Sequence, residues 1–196
     1  MTVAPGLPQL LVVGLGNLPF PQTRHSIGHL IIDALVARFH IHMSNDRTMG
    51  GVTGRSKVTL GETAVSLTLL KPKPLMNITG PSVAGALHKS VKASDAMVVI
   101  HDSLSHKLKA LSPKMGGSAN GHNGVRSIIS ALGGETNFHR FRIGIGRGPG
   151  DVAEYVLARL PEEEKLYWNG DGMGLDLICK ELERIARKQL ESRGLP

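Results

Sequence analysis

The sequence predicts an α/β protein, a three-layer sandwich with a sheet between helices. Three observations predict it. Leu10-Leu11-Val12-Val13 and Ala96 to Ile100 are short apolar runs without polar alternation, as strands buried on both faces are. Other stretches, such as Ile27 to Phe39, place apolar residues at 3.6-residue spacing, the signature of a helix with one buried side. Strand-like and helix-like stretches alternate along the chain, which is the order of a layered α/β domain.

In chain order, Leu10 to Val13 is the first buried strand and Gly14 to Gln22 a loop. Ile27, Leu30, Ile31, Ala34, Leu35 and Phe39 make residues 26–39 an amphipathic helix, with Ser26 as its N-cap. Residues 40–54 are polar and glycine-bearing and are assigned to an irregular connection. Val58 to Leu60 and Ala64 to Leu70 form a hairpin around Gly61-Glu62. Pro81 marks a helix start, and Val83, Ala84 and Leu87 give that helix a buried side. Ala96 to Ile100 is the second buried strand and ends on His101-Asp102. Lys107 to Pro113 is an edge strand, and Met115 to Gly121 a loop rich in glycine and serine. Val125, Ile128, Ile129 and Leu132 mark the next helix, and Phe141 to Gly146 alternates as a strand. Pro161 begins a charged helical stretch, which Gly170 to Gly174 interrupts before a last helix from Leu175 to Leu190. With no repeat, low-complexity tract or long linker, residues 1–196 form a single domain, a core at about 10–165 followed by a C-terminal helix at 175–192.

Composition narrows the function. A 41% hydrophobic content builds a real core, and no run of about 18 apolar residues exists to span a membrane. Residues 1–8 lack the marks of a signal peptide or an Arg-rich transit peptide. The one cysteine, Cys179, rules out an intramolecular disulfide and fits a reducing compartment. A net charge of +7 favours polyanionic partners, while 4% aromatics is too few for a base-stacking platform. Phosphate contact by Lys and Arg is the expected mode, with Lys114 and Arg142 as the best placed cations.

The candidate chemistry gathers where apolar runs end, as in other α/β proteins. His25 opens a helix, and an imidazole there can take a proton from water at neutral pH. Asp102, at a strand end, is the candidate carboxylate to orient it. A helix-start histidine bonded only to backbone fits the same pattern. Asn17, Asn77 and Asn123 offer donors and acceptors for a peptide-like substrate and for a developing oxyanion; Asn is also a common turn and cap residue, and Asn123 is a candidate cap for a helix beginning at Gly124. His122 is placed to touch substrate or to position Asn123, and an exposed loop histidine fits the same pattern; His101 is expected to point to the opposite face as a structural residue. With no reactive Cys or Ser signature, the set indicates a water-activating hydrolase. Gly14-Leu15-Gly16 lacks the third glycine of a dinucleotide fingerprint, Pro19 standing there instead. His25 and His29 have i, i+4 spacing but no intervening Glu, so no metal is expected, and His29 is assigned to the helix surface.

Taken together, six segments resemble the bacterial-type peptidyl-tRNA hydrolase family over about residues 10–165. They are Val13-Gly-Leu-Gly-Asn17, Thr23-Arg-His25-Ser-Ile-Gly28, Met76-Asn77-Ile-Thr-Gly80, Val99-Ile-His-Asp102, Gly121-His-Asn-Gly124 and Asn137-Phe-His-Arg-Phe-Arg-Ile-Gly-Ile-Gly146. The resemblance implies a monomer with a twisted mixed sheet between helices. It implies hydrolysis of the ester between a peptide and the 3′-terminal ribose of tRNA, without a cofactor, in the cytoplasm or the mitochondrial matrix. It implies His25 as base, Asp102 as its acidic partner, Asn17, Asn77, His122 and Asn123 at the substrate, and Lys114 and Arg142 at phosphates. The chain departs from the common pattern in a shorter loop after Asn17, with Phe20 in place of the usual tyrosine. It also departs in His101-Asp-Ser-Leu-Ser105, which lacks two acidic residues, and in Ser118-Ala119-Asn120, which lacks a histidine. These departures resemble eukaryotic, fungal or organellar members. A catalytically inactive RNA-binding module of the same fold and a metal-dependent hydrolase using His25 and His29 are the rival readings.

Overall fold

A computed structural model describes residues 6–193, so the reading of residues 1–8 lies mostly outside the described residues. Its centre is a seven-stranded sheet with the order β2-β3-β4-β1-β5-β7-β6. The strands are β1 (Gln9–Gly14), β2 (Ser44–Asp46), β3 (Gly51–Leu60), β4 (Thr63–Pro72), β5 (Met97–Ser103), β6 (Leu111–Met115) and β7 (His139–Gly144). β4, β1, β5 and β7 run parallel, while β2, β3 and β6 join antiparallel at the two edges. The sheet is therefore mixed, and helices cover both faces as the three-layer prediction requires.

The pleat explains the layers. Successive residues of β1 point to opposite faces, so an unbroken apolar run serves two cores at once. Leu10 and Val12 join one cluster with α1 (Ile27–Phe39), α5 (Glu162–Trp168) and α6 (Met173–Glu191). Leu11 and Val13 join the other, with α2 (Gly80–Lys89) and α3 (Asn123–Ala131). In α1, Ile27, Ile31, Ile32 and Leu35 are all fully buried, each stabilising the fold by about 1.5–3 kcal/mol through apolar burial.

Several boundaries differ from the prediction. The supposed connection at 40–54 contains β2 and the start of β3, because Gly51 and Gly54 sit where a Cβ would strike neighbouring backbone or side chains. The edge strand lies at 111–115 rather than 107–113, and the last helix begins at Met173. A short helix, α4 (Val152–Leu157), went unpredicted, although its start is written in Asp151-x-x-Glu154: the Asp151 side chain accepts from Glu154 N at 3.0 Å. No helix among the described residues is long and apolar enough to cross a membrane.

The glycines of the first motif set how closely α1 meets the sheet. A Cβ on Gly14 would lie 2.2 Å from Gly28 O, and one on Gly16 would lie 2.6 Å from the His29 ring. These glycines thus serve helix–strand approach. A Cβ on Gly28 would lie 2.4 Å from Leu15 N and 2.5 Å from Ile100 O, the two atoms whose 2.9 Å hydrogen bond ties the chain leaving β1 to the middle of β5. Gly28→Ala gains helix propensity of at most about 1 kcal/mol but forces backbone apart at a cost of about 1–3 kcal/mol or more. Net destabilisation follows, and a denaturant midpoint at or above that of the unsubstituted protein would contradict this packing.

Candidate active site

The carboxyl ends of β1, β4, β5 and β7 face one edge of the sheet, where side chains from separate segments meet. His25 arrives there on a one-turn 3-10 helix, Arg24–Ser26, ahead of α1. The loop before it is tied down on both sides. Ser26 Oγ accepts from Asn17 N at 3.0 Å and donates to Phe20 O at 2.8 Å. Arg24 N donates to Ala158 O at 3.0 Å, Leu160 N to Gln22 O at 2.9 Å, and the Arg24 guanidinium lies 4.6 Å over the Tyr155 ring. Ser26 holds the N-cap position of α1 as predicted, but its side chain makes no capping bond: it also ends the 3-10 turn, and its hydroxyl closes the loop instead.

Asp102, 4% exposed near the end of β5, receives two imidazoles on one oxygen. His25 Nδ1 lies 2.8 Å and His122 Nε2 3.0 Å from Asp102 Oδ1. The tautomers follow from the remaining bonds. His122 Nδ1 accepts from Val125 N at 3.3 Å, so the proton of neutral His122 sits on Nε2 and is donated to the carboxylate. His25 likewise donates Nδ1–H, which leaves a lone pair on Nε2 at the cleft wall. Burial pushes the Asp102 carboxyl up, but the pull of His122 and then His25 outweighs it and holds the group well below the usual carboxylate range.

Two histidines depart from prediction. His122, not Asn123, caps α3, and with both ring nitrogens taken it braces Asp102 rather than reaching outward. His101 does not turn away from the cluster. At the carboxyl edge of the sheet a loop residue reaches over the strand end, and the His101 ring packs edge-on to His122 at 4.6 Å. It is structural all the same: His101 Nδ1 bonds Asp102 O at 2.8 Å, and burial, then His122, pushes its pKa down to about 3.

The pair opens on a cleft of about 810 Å³, in the range of small-ligand sites. Asn17, Asn77, His122, Asn123 and Arg142 line it with His25 and Asp102. Asn17 is buried and its Oδ1 accepts from Met76 N at 2.8 Å, which fixes the turn that carries exposed Asn77. Asn123 is the exposed first residue of α3, its Oδ1 accepting from Arg126 at 3.3 Å. Lys114 is not among the lining residues; it lies on edge strand β6, opposite Arg140. Sequence reasoning did not single out Arg140, which is 1% exposed and donates to Ser118 O at 2.8 Å and to Gly116 O. It clamps the loop that delivers His122, a loop in which Gly116, Gly117, Asn120 and Gly121 take positive φ. Val152, Val156 and Leu157 of α4 form an apolar lip.

The ligand atoms of His25, Asp102 and His122 lie within 4.8 Å of one another, the one such group among the described residues able to hold a metal ion. A metal there must break both hydrogen bonds to Asp102. His29, the partner of His25 in the rival metal reading, is elsewhere: it is buried rather than on the helix surface, because its ring fills the space over Gly16, and burial and then Lys71 push its pKa down to about 3.

Residues 11–193 match the family model described as peptidyl-tRNA hydrolase. A peptidyl-tRNA hydrolase of Rhodococcus jostii is 39% identical over 193 residues, covering 93% of this chain and 94% of that protein. One of Campylobacter curvus is 36% identical over 192 residues, covering 94% and 98%. The crystal structure of peptidyl-tRNA hydrolase from Acinetobacter baumannii superposes with a TM-score of 0.79 at 31% identity, covering 94% of this chain and 92% of that one. Six short motifs, a seven-stranded mixed sheet and full-length likeness converge, and the chain belongs to the peptidyl-tRNA hydrolase family.

Proposed function

We propose that this chain cleaves the ester between the C-terminal residue of a peptide and the 3′-terminal ribose of tRNA, with His25 as general base aligned by Asp102. The carrying observation is the single carboxylate oxygen shared by His25 and His122 at 2.8 and 3.0 Å, beside a free His25 Nε2 in an open cleft. His25 Nε2 takes a proton from water, and the resulting hydroxide attacks the ester carbonyl carbon. Asn77 donates to the oxyanion. The ribose oxygen leaves and takes the proton back from His25. Asn17 and Asn123 border the peptide, His122 holds Asp102 in place, and Arg142 and Lys114 meet RNA phosphates. The reading takes the protein as a monomer, with one chain supplying the whole cleft. Its compartment is the cytoplasm or the mitochondrial matrix, in keeping with a single cysteine whose thiol burial pushes up to about 11.

General base assistance contributes about 10²- to 10⁴-fold and one oxyanion donor about 10²- to 10³-fold. The test is release of N-acetylaminoacyl groups from tRNA, with and without a strong chelator. Release that the chelator leaves unchanged is expected. Binding of tRNA without release, even at high protein concentration, would instead mark an inactive RNA-binding module. Release abolished by the chelator would place a metal on His25, Asp102 and His122.

A further inference from the structure

We infer that Ser103, His106 and Arg142 form a phosphate-binding subsite on the cleft wall beside the His25–Asp102 pair, with a grip on RNA that tightens when His106 is protonated. The inference rests on the proposed ester cleavage and adds a position for the RNA.

β5 carries Asp102 and Ser103 as neighbours, and the turn after it carries Ser105 and His106; all four line the cleft. β7 places Arg142 beside His101 in register, and β6 places Ser112 beside Arg142. Arg142 Nη2 donates to Ser112 Oγ at 2.7 Å and Nε to Ser112 O at 3.2 Å. Those two bonds fix the guanidinium plane on the edge strand and leave Nη1 without a bond to protein. Ser103 Oγ and His106 Nδ1 lie 2.7 Å apart, which fixes that imidazole and leaves its Nε2 unbonded.

This wall holds two hydroxyls, one imidazole and one guanidinium. The carboxylates nearby are spoken for: Asp102 by two imidazoles, and Asp151 by the start of α4. A wall of donors with a fixed guanidinium suits a tetrahedral oxyanion. The proposed substrate supplies one at the right place, because the ribose bearing the ester carries a phosphodiester on its own 5′ side.

The protonation link follows from the surroundings of His106. Burial and then the neighbouring Arg142 lower its pKa. Arg142 on β7 is the charged group acting on it; the contact from the chain after β7 is backbone, Gly146 N donating to His106 O at 3.0 Å. A phosphate seated between Arg142 and His106 reverses that repulsion and raises the proton affinity of the imidazole. By linkage, lower pH must then strengthen phosphate binding.

The experiment follows KM for N-acetylaminoacyl-tRNA from pH 7.5 to 5.5 at fixed ionic strength, with sulfate, a dianion throughout, as competing probe. In the unsubstituted protein KM falls by about three- to tenfold, the scale of one added partly exposed charge contact. Sulfate competes with tRNA, more strongly at the acid end. In His106→Asn the fall in KM and the pH dependence of sulfate inhibition both disappear, and in Ser103→Ala sulfate inhibition weakens. A KM independent of pH in the unsubstituted protein, or the same slope in His106→Asn, overturns the inference. Turnover by the unsubstituted protein at pH 7.5 shows separately that the proposed activity stands.

Discussion

His25→Ala is expected to lower turnover on N-blocked aminoacyl-tRNA by at least about 10²-fold, and up to 10⁴-fold, while tRNA affinity changes little. The two effects separate because the groups are separate. The imidazole touches Asp102 on one side and the cleft on the other, and Arg142 is held by β6 without it. Folding should survive, since His122 still donates to Asp102 and no buried charge is left alone. Single-turnover hydrolysis beside a tRNA-binding isotherm decides the matter. Equal losses in both would remove His25 from the chemistry and make it a binding residue.

Asp102→Asn should produce a comparable loss, up to about 10⁴-fold in kcat, for a different reason. The amide keeps the size and one acceptor oxygen but not the charge that stabilises His25 once it has gained a proton. Stability supplies an independent reading. The folded carboxyl lies below its ordinary value of 3.8, so the folded state binds fewer protons than the unfolded state near that pH. Its contribution is therefore present above that value and fades as pH falls through and below it. The stability gap between the unsubstituted protein and Asp102→Asn should be widest near pH 7 and narrow by pH 3. His29, with a pKa near 3 set by burial and then Lys71, is lost to acid in both proteins and cancels in the difference. A gap that widened towards acid would contradict the ion-paired geometry.

The fold was largely legible because burial leaves a period in the sequence. The apolar run of β1 and the 3.6-residue rhythm of α1 each report the surfaces they face, and both elements lie where they were expected. The misreadings occur where polar residues build regular structure. β2 is Ser-Asn-Asp and the first half of β3 carries two glycines, and both are partly exposed, so no apolar period betrays them. α4 has no fully buried residue and announces itself only by its cap. At the candidate site the residue set was legible, but not how its members act on one another. His122 and Asn123 exchanged the capping role, His29 moved from surface to interior, and Arg140 emerged as the clamp on the glycine loop.

The sequence by itself determined the layered α/β class, the polyanion-seeking charge, the family and the short polar segments that end its apolar runs. Only the tertiary structure decided that Asp102 Oδ1 is shared by two rings, one 77 residues away along the chain and the other 20. The reason is physical. Periodicity records whether a segment is buried, a local property, whereas distances between side chains depend on the strand order β4-β1-β5-β7 and on loops held open by left-handed glycines. Neither leaves a mark in any one stretch of sequence.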